Sequence, residues 1–136
     1  ATMDMFATMR VALGLERTRQ GDTSVLSAGD VLRMATIDGA RYLQLDDITG
    51  SLTPGKRADI TLIRRDDLNM APAGDPTTAL VLSAQPANVD TVIVDGRILK
   101  RDGRLTALDV PTVVAEADAA LRRVCERAGS TDLLFA

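Results

Sequence analysis

Ten residues, Thr91-Val-Ile-Val-Asp-Gly-Arg-Ile-Leu-Lys100, constrain the fold more than any other stretch of the chain. β-Branched and apolar residues flank Asp95-Gly96, a pair suited to the two central positions of a hairpin turn that needs positive φ. The spacing predicts antiparallel strands over 90–94 and 97–101. Asp102-Gly103 repeats the turn chemistry and predicts one more short strand over 104–108. Upstream, Pro54-Gly55 reads as a turn with proline second and glycine third. It feeds Ala58-Asp-Ile-Thr-Leu-Ile63, apolar and β-branched enough for a strand over 59–64. These strands are expected to share one antiparallel-rich sheet.

Helical periods bracket the strands. Met5, Phe6, Met9, Ala12 and Leu13 predict a helix over 4–19 with Asp4 as its N-cap, ended at Gly21-Asp22. Ser27-Ala-Gly-Asp30 has the form of a capping box and opens a helix expected to run from 28 to 42. A loose loop containing Pro72, Gly74 and Pro76 leads to a short helical turn over 77–83. A last helix is predicted over 111–128, with Pro111 in its first turn, Gly129 just past its end, and a stripe of Val113, Ala117, Ala120, Leu121, Val124 and Ala128. Three zones result: 1–46, mostly helical; 47–108, mostly strand; and 109–136, a helix and tail. The start at Ala1, directly before a helical pattern, is expected of a segment more than of a native N-terminus.

Composition excludes several classes. Of 136 residues, 46% are hydrophobic and 26% charged, an ordinary globular balance. A net charge of −3 and an aromatic share of 2% argue against a nucleic-acid footprint or a base-stacking platform. No apolar run approaches the roughly 20 residues of a membrane span. One cysteine rules out an internal disulfide framework and fits a reducing cytoplasm.

Ile48-Thr-Gly-Ser-Leu-Thr-Pro-Gly-Lys-Arg-Ala-Asp-Ile-Thr-Leu-Ile63 resembles the "G-S-L-x-P-G-K-x-A-D" segment near the C-terminal end of metal-dependent amidohydrolases, in the branch of cytosine and guanine deaminases and triazine chlorohydrolases. The likeness continues in order. Ala35-Thr-Ile-Asp-Gly-Ala40 is similar to that family's "A-T-x-x-G-A". Asn88 to Arg97 looks like its "V-x-x-V-x-V-x-G" hairpin, and Arg101-Asp-Gly-Arg104 like the following "R-D-G". Asp4-Met-Phe-x-x-Met-Arg10 resembles a segment shortly after the metal-binding aspartate. Coverage runs from about residue 4 to about 128. The resemblance implies an α+β fragment: the last helices of a TIM-like (β/α) barrel, the C-terminal strands of a composite β-sandwich that also takes strands from the N-terminal end of the full chain, and a terminal helix packed back on the body. In that family, histidines and an aspartate hold the metal. This chain has no histidine, and the matching elements would lie upstream of residue 1.

Each candidate site residue has a plainer reading. Asp4 sits where an N-cap belongs, and Asp59 begins a strand. Met3, Met5, Phe6 and Met9 read as core, with a pocket border in an intact enzyme as the alternative. Asp46-Asp47 and Asp66-Asp67 are adjacent acids whose side chains point apart in an extended chain, unlike converging metal ligands. Cys125 has no histidine partner and reads as an inert thiol. Arg97, Lys100, Arg101 and Arg104 read as a solvated, edge-protecting face. Gly29, Gly50 and Gly55 lack the spacing of a phosphate loop. No catalytic, metal or substrate-binding residue is therefore assigned, and no cofactor in this chain; zinc or iron is expected in the intact parent. The expected function is that of the C-terminal part of a cytoplasmic amidohydrolase or deaminase acting on C–N or C–Cl bonds of a heterocycle, inactive alone. Its partner would be the missing N-terminal part of the parent or a second copy, not nucleic acid or membrane. The alternative is a stand-alone structural or protein-interaction module.

Overall fold

The computed structural model describes residues 3–72 and 74–129. The expected tail over 130–136, and the first two residues of the leading zone, lie outside the described residues. The chain divides into two compact units, one ending at Arg104 and the other beginning at Leu105.

The first unit opens with α1 (Met5–Gln20), which begins where its orphan amides find a partner. The Asp4 carboxylate accepts from the backbone N–H of Phe6 (2.9 Å) and of Ala7 (3.2 Å). Gly21, at φ +65°, closes it in the left-handed conformation. Helix α2 (Ala28–Met34) carries the full capping box: the Ser27 hydroxyl accepts from Asp30 N–H, and Asp30 accepts from Ser27 N–H. Helix α3 (Ile37–Tyr42) follows. The single helix expected over 28–42 is thus two. Thr36, at φ −127° and ψ −103°, breaks it, while its hydroxyl donates back to the Leu32 carbonyl (2.7 Å) and helps close α2. Arg33 reaches the Asp38 carboxylate across the break, and Arg41 reaches it from within α3.

Strand β1 (Ile60–Ile63) pairs antiparallel with β2 (Val89–Val94), which pairs antiparallel with β3 (Arg97–Arg101). Strand β4 (Arg104–Leu105) completes the order β1-β2-β3-β4. Asp95 and Gly96 stand at φ +50° and +76°, as their hairpin turn requires. Asp102 and Gly103 repeat the pattern at +51° and +75°. The strand expected over 104–108 stops after two residues, and the chain turns toward the helix that begins at Val110. Between β1 and β2, helix α4 (Pro76–Leu82) starts at Asp75, whose carboxylate accepts from Thr78 N–H (2.7 Å).

The core is helical. Met9 and Leu13 of α1, Val31 of α2 and Val81 of α4 are buried together, with Phe6, Leu26 and Leu32 packed around them. Each such side chain withdrawn from water contributes on the order of 1.5–3 kcal/mol. The sheet has little cover: Thr91, 9% exposed, is the most buried of the described strand residues. The second unit is dominated by α5 (Val110–Ala128), closed by Gly129 at φ +64°.

Candidate functional site

The segment Ile48–Ile63 ties the helices to the sheet. Gly50, at φ +84°, lies so close to α3 that a Cβ there would stand 2.7 Å from the Ala40 Cβ and 3.0 Å from the Ile37 Cα. Glycine is needed both for the backbone angle and for the approach. At the tight turn, Lys56 N–H donates to the Thr53 carbonyl (3.1 Å), with Gly55 at φ +93°. The Lys56 ammonium donates to the carbonyls of Asp46 and Thr49 and so closes the loop from inside. At the far end, Asp59 accepts from the Thr49 hydroxyl (2.6 Å) and from Asp95 N–H in the hairpin turn (2.7 Å). The Thr49 hydroxyl first, and the Asp95 amide second, hold the Asp59 carboxyl below its ordinary range.

Helices α1, α2 and α3, the loop after Thr49 and strand β1 surround an open cleft of about 830 Å³. Met5, Phe6, Met9, Leu32, Leu43, Leu52 and Ile60 give it an apolar lining, with Asp59 and Thr49 among its few polar groups. Since Asp59 is already engaged twice, the cleft offers apolar surface and little chemistry.

The donor set does not fit a catalytic metal. The sequence has no histidine, and among the described residues no three of Cys, Asp and Glu come together to hold an ion. Asp4 is a cap. Asp46 approaches Arg41 at 3.9 Å. Asp67 accepts from Asn88 and faces Arg64. Met9 belongs to the core; Met5 and Phe6 border the cleft, and Met3 is fully exposed. Cys125 is buried. Arg97 and Arg101 on β3 and Arg104 on β4 are exposed, and Lys100 is half-buried.

Other polar contacts had no signal in the sequence. Asn88, 2% exposed, exchanges two hydrogen bonds with Asn69, donates to Asp67 (2.6 Å) and accepts from Gln85 N–H (2.8 Å). Arg10 donates to the Ala84 carbonyl (2.8 Å), and Arg17 donates twice to the Leu26 carbonyl. Apart from the Gln85–Asn88 contact, these fold-holding bonds join residues nine or more positions apart, which local pattern does not encode.

Comparison with known proteins gives the class. Residues 1–99 match the model of the amidohydrolase family, and the chain belongs to that family. Within it, the chain is 45% identical over 124 residues to the 5-methylthioadenosine/S-adenosylhomocysteine deaminase of Desulforudis audaxviator, a match covering 91% of this chain and 29% of that protein. It is 43% identical over 118 residues to the 5'-deoxyadenosine deaminase of Methanothermobacter thermautotrophicus, covering 87% and 27% respectively. Among solved structures it resembles an adenosine deaminase from Xanthomonas campestris with bound zinc, at TM-score 0.85 and 30% identity, over 88% of this chain and 27% of that one. An atrazine chlorohydrolase from Arthrobacter aurescens complexed with zinc matches at TM-score 0.77 and 29% identity, over 84% and 25%. The deaminase and chlorohydrolase resemblance read from the sequence is therefore met. The chain spans less than a third of the length of the relatives it matches. Among the described residues no helix is long and apolar enough to cross a membrane.

Proposed function

We propose that this chain is the C-terminal part of a deaminase acting on an adenosine-derived nucleoside. The observation that carries the reading is the 45% identity to a nucleoside deaminase over nearly the whole chain, in a segment with no histidine and, among the described residues, no cluster of three acids or thiols. Deamination of such a ring replaces a C–N bond with a C–O bond and releases ammonia. None of the groups that do this are assigned to the present residues; the metal and the reacting pocket belong to the rest of the parent. Chlorohydrolase chemistry at a C–Cl bond is the second reading, and its support is the atrazine chlorohydrolase fold match alone.

In this reading α1 to α3 are the last helices of the barrel, within 1–46, and β1 to β4 are the C-terminal share of the composite sandwich, within 47–108. The terminal element spans 109–136. The apolar cleft lined by Met5, Phe6 and Leu32 would face the missing barrel, and a second copy is the other candidate cover. A single thiol favours a cytoplasmic parent. A stand-alone interaction module is the competing account.

Ammonia release from 5'-deoxyadenosine and methylthioadenosine, together with zinc content by elemental analysis, tests the proposal on two proteins: the 136-residue chain and the intact parent. Turnover and zinc are expected in the parent and in neither measurement on the chain alone. Turnover or stoichiometric zinc in the isolated chain would overturn the assignment, and so would a parent that holds zinc but leaves both nucleosides untouched.

A further inference from the structure

Asp-Gly occurs three times in the chain, at 38–39, 95–96 and 102–103, and the fold restrains the three pairs differently. Such a pair carries a latent reaction, because a glycine nitrogen, unshielded by a Cβ on its own residue, can close on the preceding side-chain carboxyl. Asp38-Gly39 lies inside α3, where Arg33 (3.1 Å) and Arg41 (2.7 Å) hold the Asp38 carboxylate. Asp95-Gly96 joins strands of six and five residues. Its two amides are anchored to the Asp59 carboxylate and the Ala58 carbonyl, and Arg57 stands 3.7 Å from the Asp95 carboxylate. Asp102-Gly103 is held far less. Residues 101–110 are all exposed, and the Asp102 carboxylate makes no hydrogen bond or ion pair among the described residues. Gly103 N–H donates to the Asp90 carbonyl (3.0 Å), and the turn leads into β4, only two residues long.

Ring closure needs the turn to open and the glycine nitrogen to leave its acceptor, so its rate follows the population of locally opened turn. Two residues of ladder beyond the turn resist opening less than the long hairpin or the doubly paired helix does. We propose that Asp102-Gly103 is a modification site, at which the folded chain converts aspartate to isoaspartate through a cyclic imide while Asp38 and Asp95 are spared. With the Asp102 carboxyl protonated, the Gly103 nitrogen bonds to Cγ; the C–OH bond breaks, and the hydroxyl leaves as water with the amide proton. Water then adds to one imide carbonyl. Opening at Cγ restores aspartate. Opening at the Asp102 carbonyl carbon routes the backbone through Cβ and Cγ and leaves a free α-carboxylate. No reactant other than water enters. The product lengthens the backbone by one carbon at the turn that sets β4 beside β3.

Ageing the 136-residue chain in mildly acidic buffer, with isoaspartate located by peptide mapping and electron-transfer fragmentation, tests the assignment without relying on activity. Isoaspartate is expected to form at 102 about tenfold faster than at 95 or at 38, the order of local opening. In strong denaturant the fold no longer separates the three pairs, and their rates should come within about threefold of one another. Equal rates at the three sites in the folded chain, a faster reaction at 95 or 38, or the same tenfold order persisting in denaturant overturns the proposal.

Discussion

Replacing Gly50 with alanine tests whether the loop of the family segment is held against α3 by close approach or only by its backbone angle. The new Cβ would sit 2.7 Å from the Ala40 Cβ, 3.0 Å from the Ile37 Cα and 3.3 Å from the Thr36 carbonyl oxygen. Two of those atoms are backbone and cannot swing aside. The left-handed angle alone costs an alanine roughly 1–2 kcal/mol. Forcing a methyl into a packed contact adds about 1–3 kcal/mol. Gly55 supplies the control, because its φ of +93° imposes a comparable backbone penalty while a Cβ there meets nothing within 4 Å. Gly50→Ala should therefore lose about 2–5 kcal/mol and Gly55→Ala about 1–2 kcal/mol, the sums of these same contributions. Denaturant midpoints at constant slope report the difference. Equal losses at the two positions would refute the close-approach argument and leave only backbone strain.

Three other outcomes are expected. Asn88→Ala leaves Asp67 and the Gln85 amide without a partner they now share, and should lower stability by about 1–3 kcal/mol in the same denaturant assay. Leu13→Ala opens a cavity among Met9, Val31 and Val81 and should cost about 2–5 kcal/mol; a loss under 1 kcal/mol would mean that the helical core is not closed. Acid should destabilise the chain. Arg19, mainly by hydrogen bonding, holds the exposed Glu16 down to about 2, and Asp22, Asp30, Asp59 and Asp75 are also lowered. A carboxylate depressed in the folded state stabilises it above the unfolded value near 4 and loses that contribution as pH falls through the folded value. The unfolding midpoint should hold from pH 7 to 5 and drop below about pH 4, and Asp59→Asn should make that drop shallower; a midpoint that rises on acidification contradicts the assignment.

Local chemistry made part of this fold legible in advance. Asp95-Gly96, the Asp4 cap, the Ser27–Asp30 box and the Pro54-Gly55 turn each depend on residues within four positions of one another, and the structure realises every one. The break at Thr36 was not legible. The residues after it support a helix as well as those before it do, and what accompanies the break is the seating of Gly50 against Ile37 and Ala40, a contact between distant segments. The Asn69–Asn88 exchange was hidden for the same reason, since its two members stand on opposite sides of α4 in the chain. The lack of histidine was plain at once, and it restricts what these residues can do more than any feature of the folded chain.

Asp59 also bears on strand register. In a sheet with one dry face, a slip of one residue is penalised because it turns every apolar side chain toward water. The strands here are half-open on both faces, so that penalty is weak. Asp95 N–H reaches the Asp59 carboxylate, and Gly96 N–H donates to the Ala58 carbonyl (3.2 Å). The tip of the hairpin is thereby pinned to the entrance of β1 from outside the ladder, and moving β2 along by one residue would pull both donors off their acceptors. Alignment that hydrophobic patterning leaves loose is thus indexed by a polar peg at one end of the strand pair, and a chain with Asp59 removed should sample shifted pairings before it loses its helices.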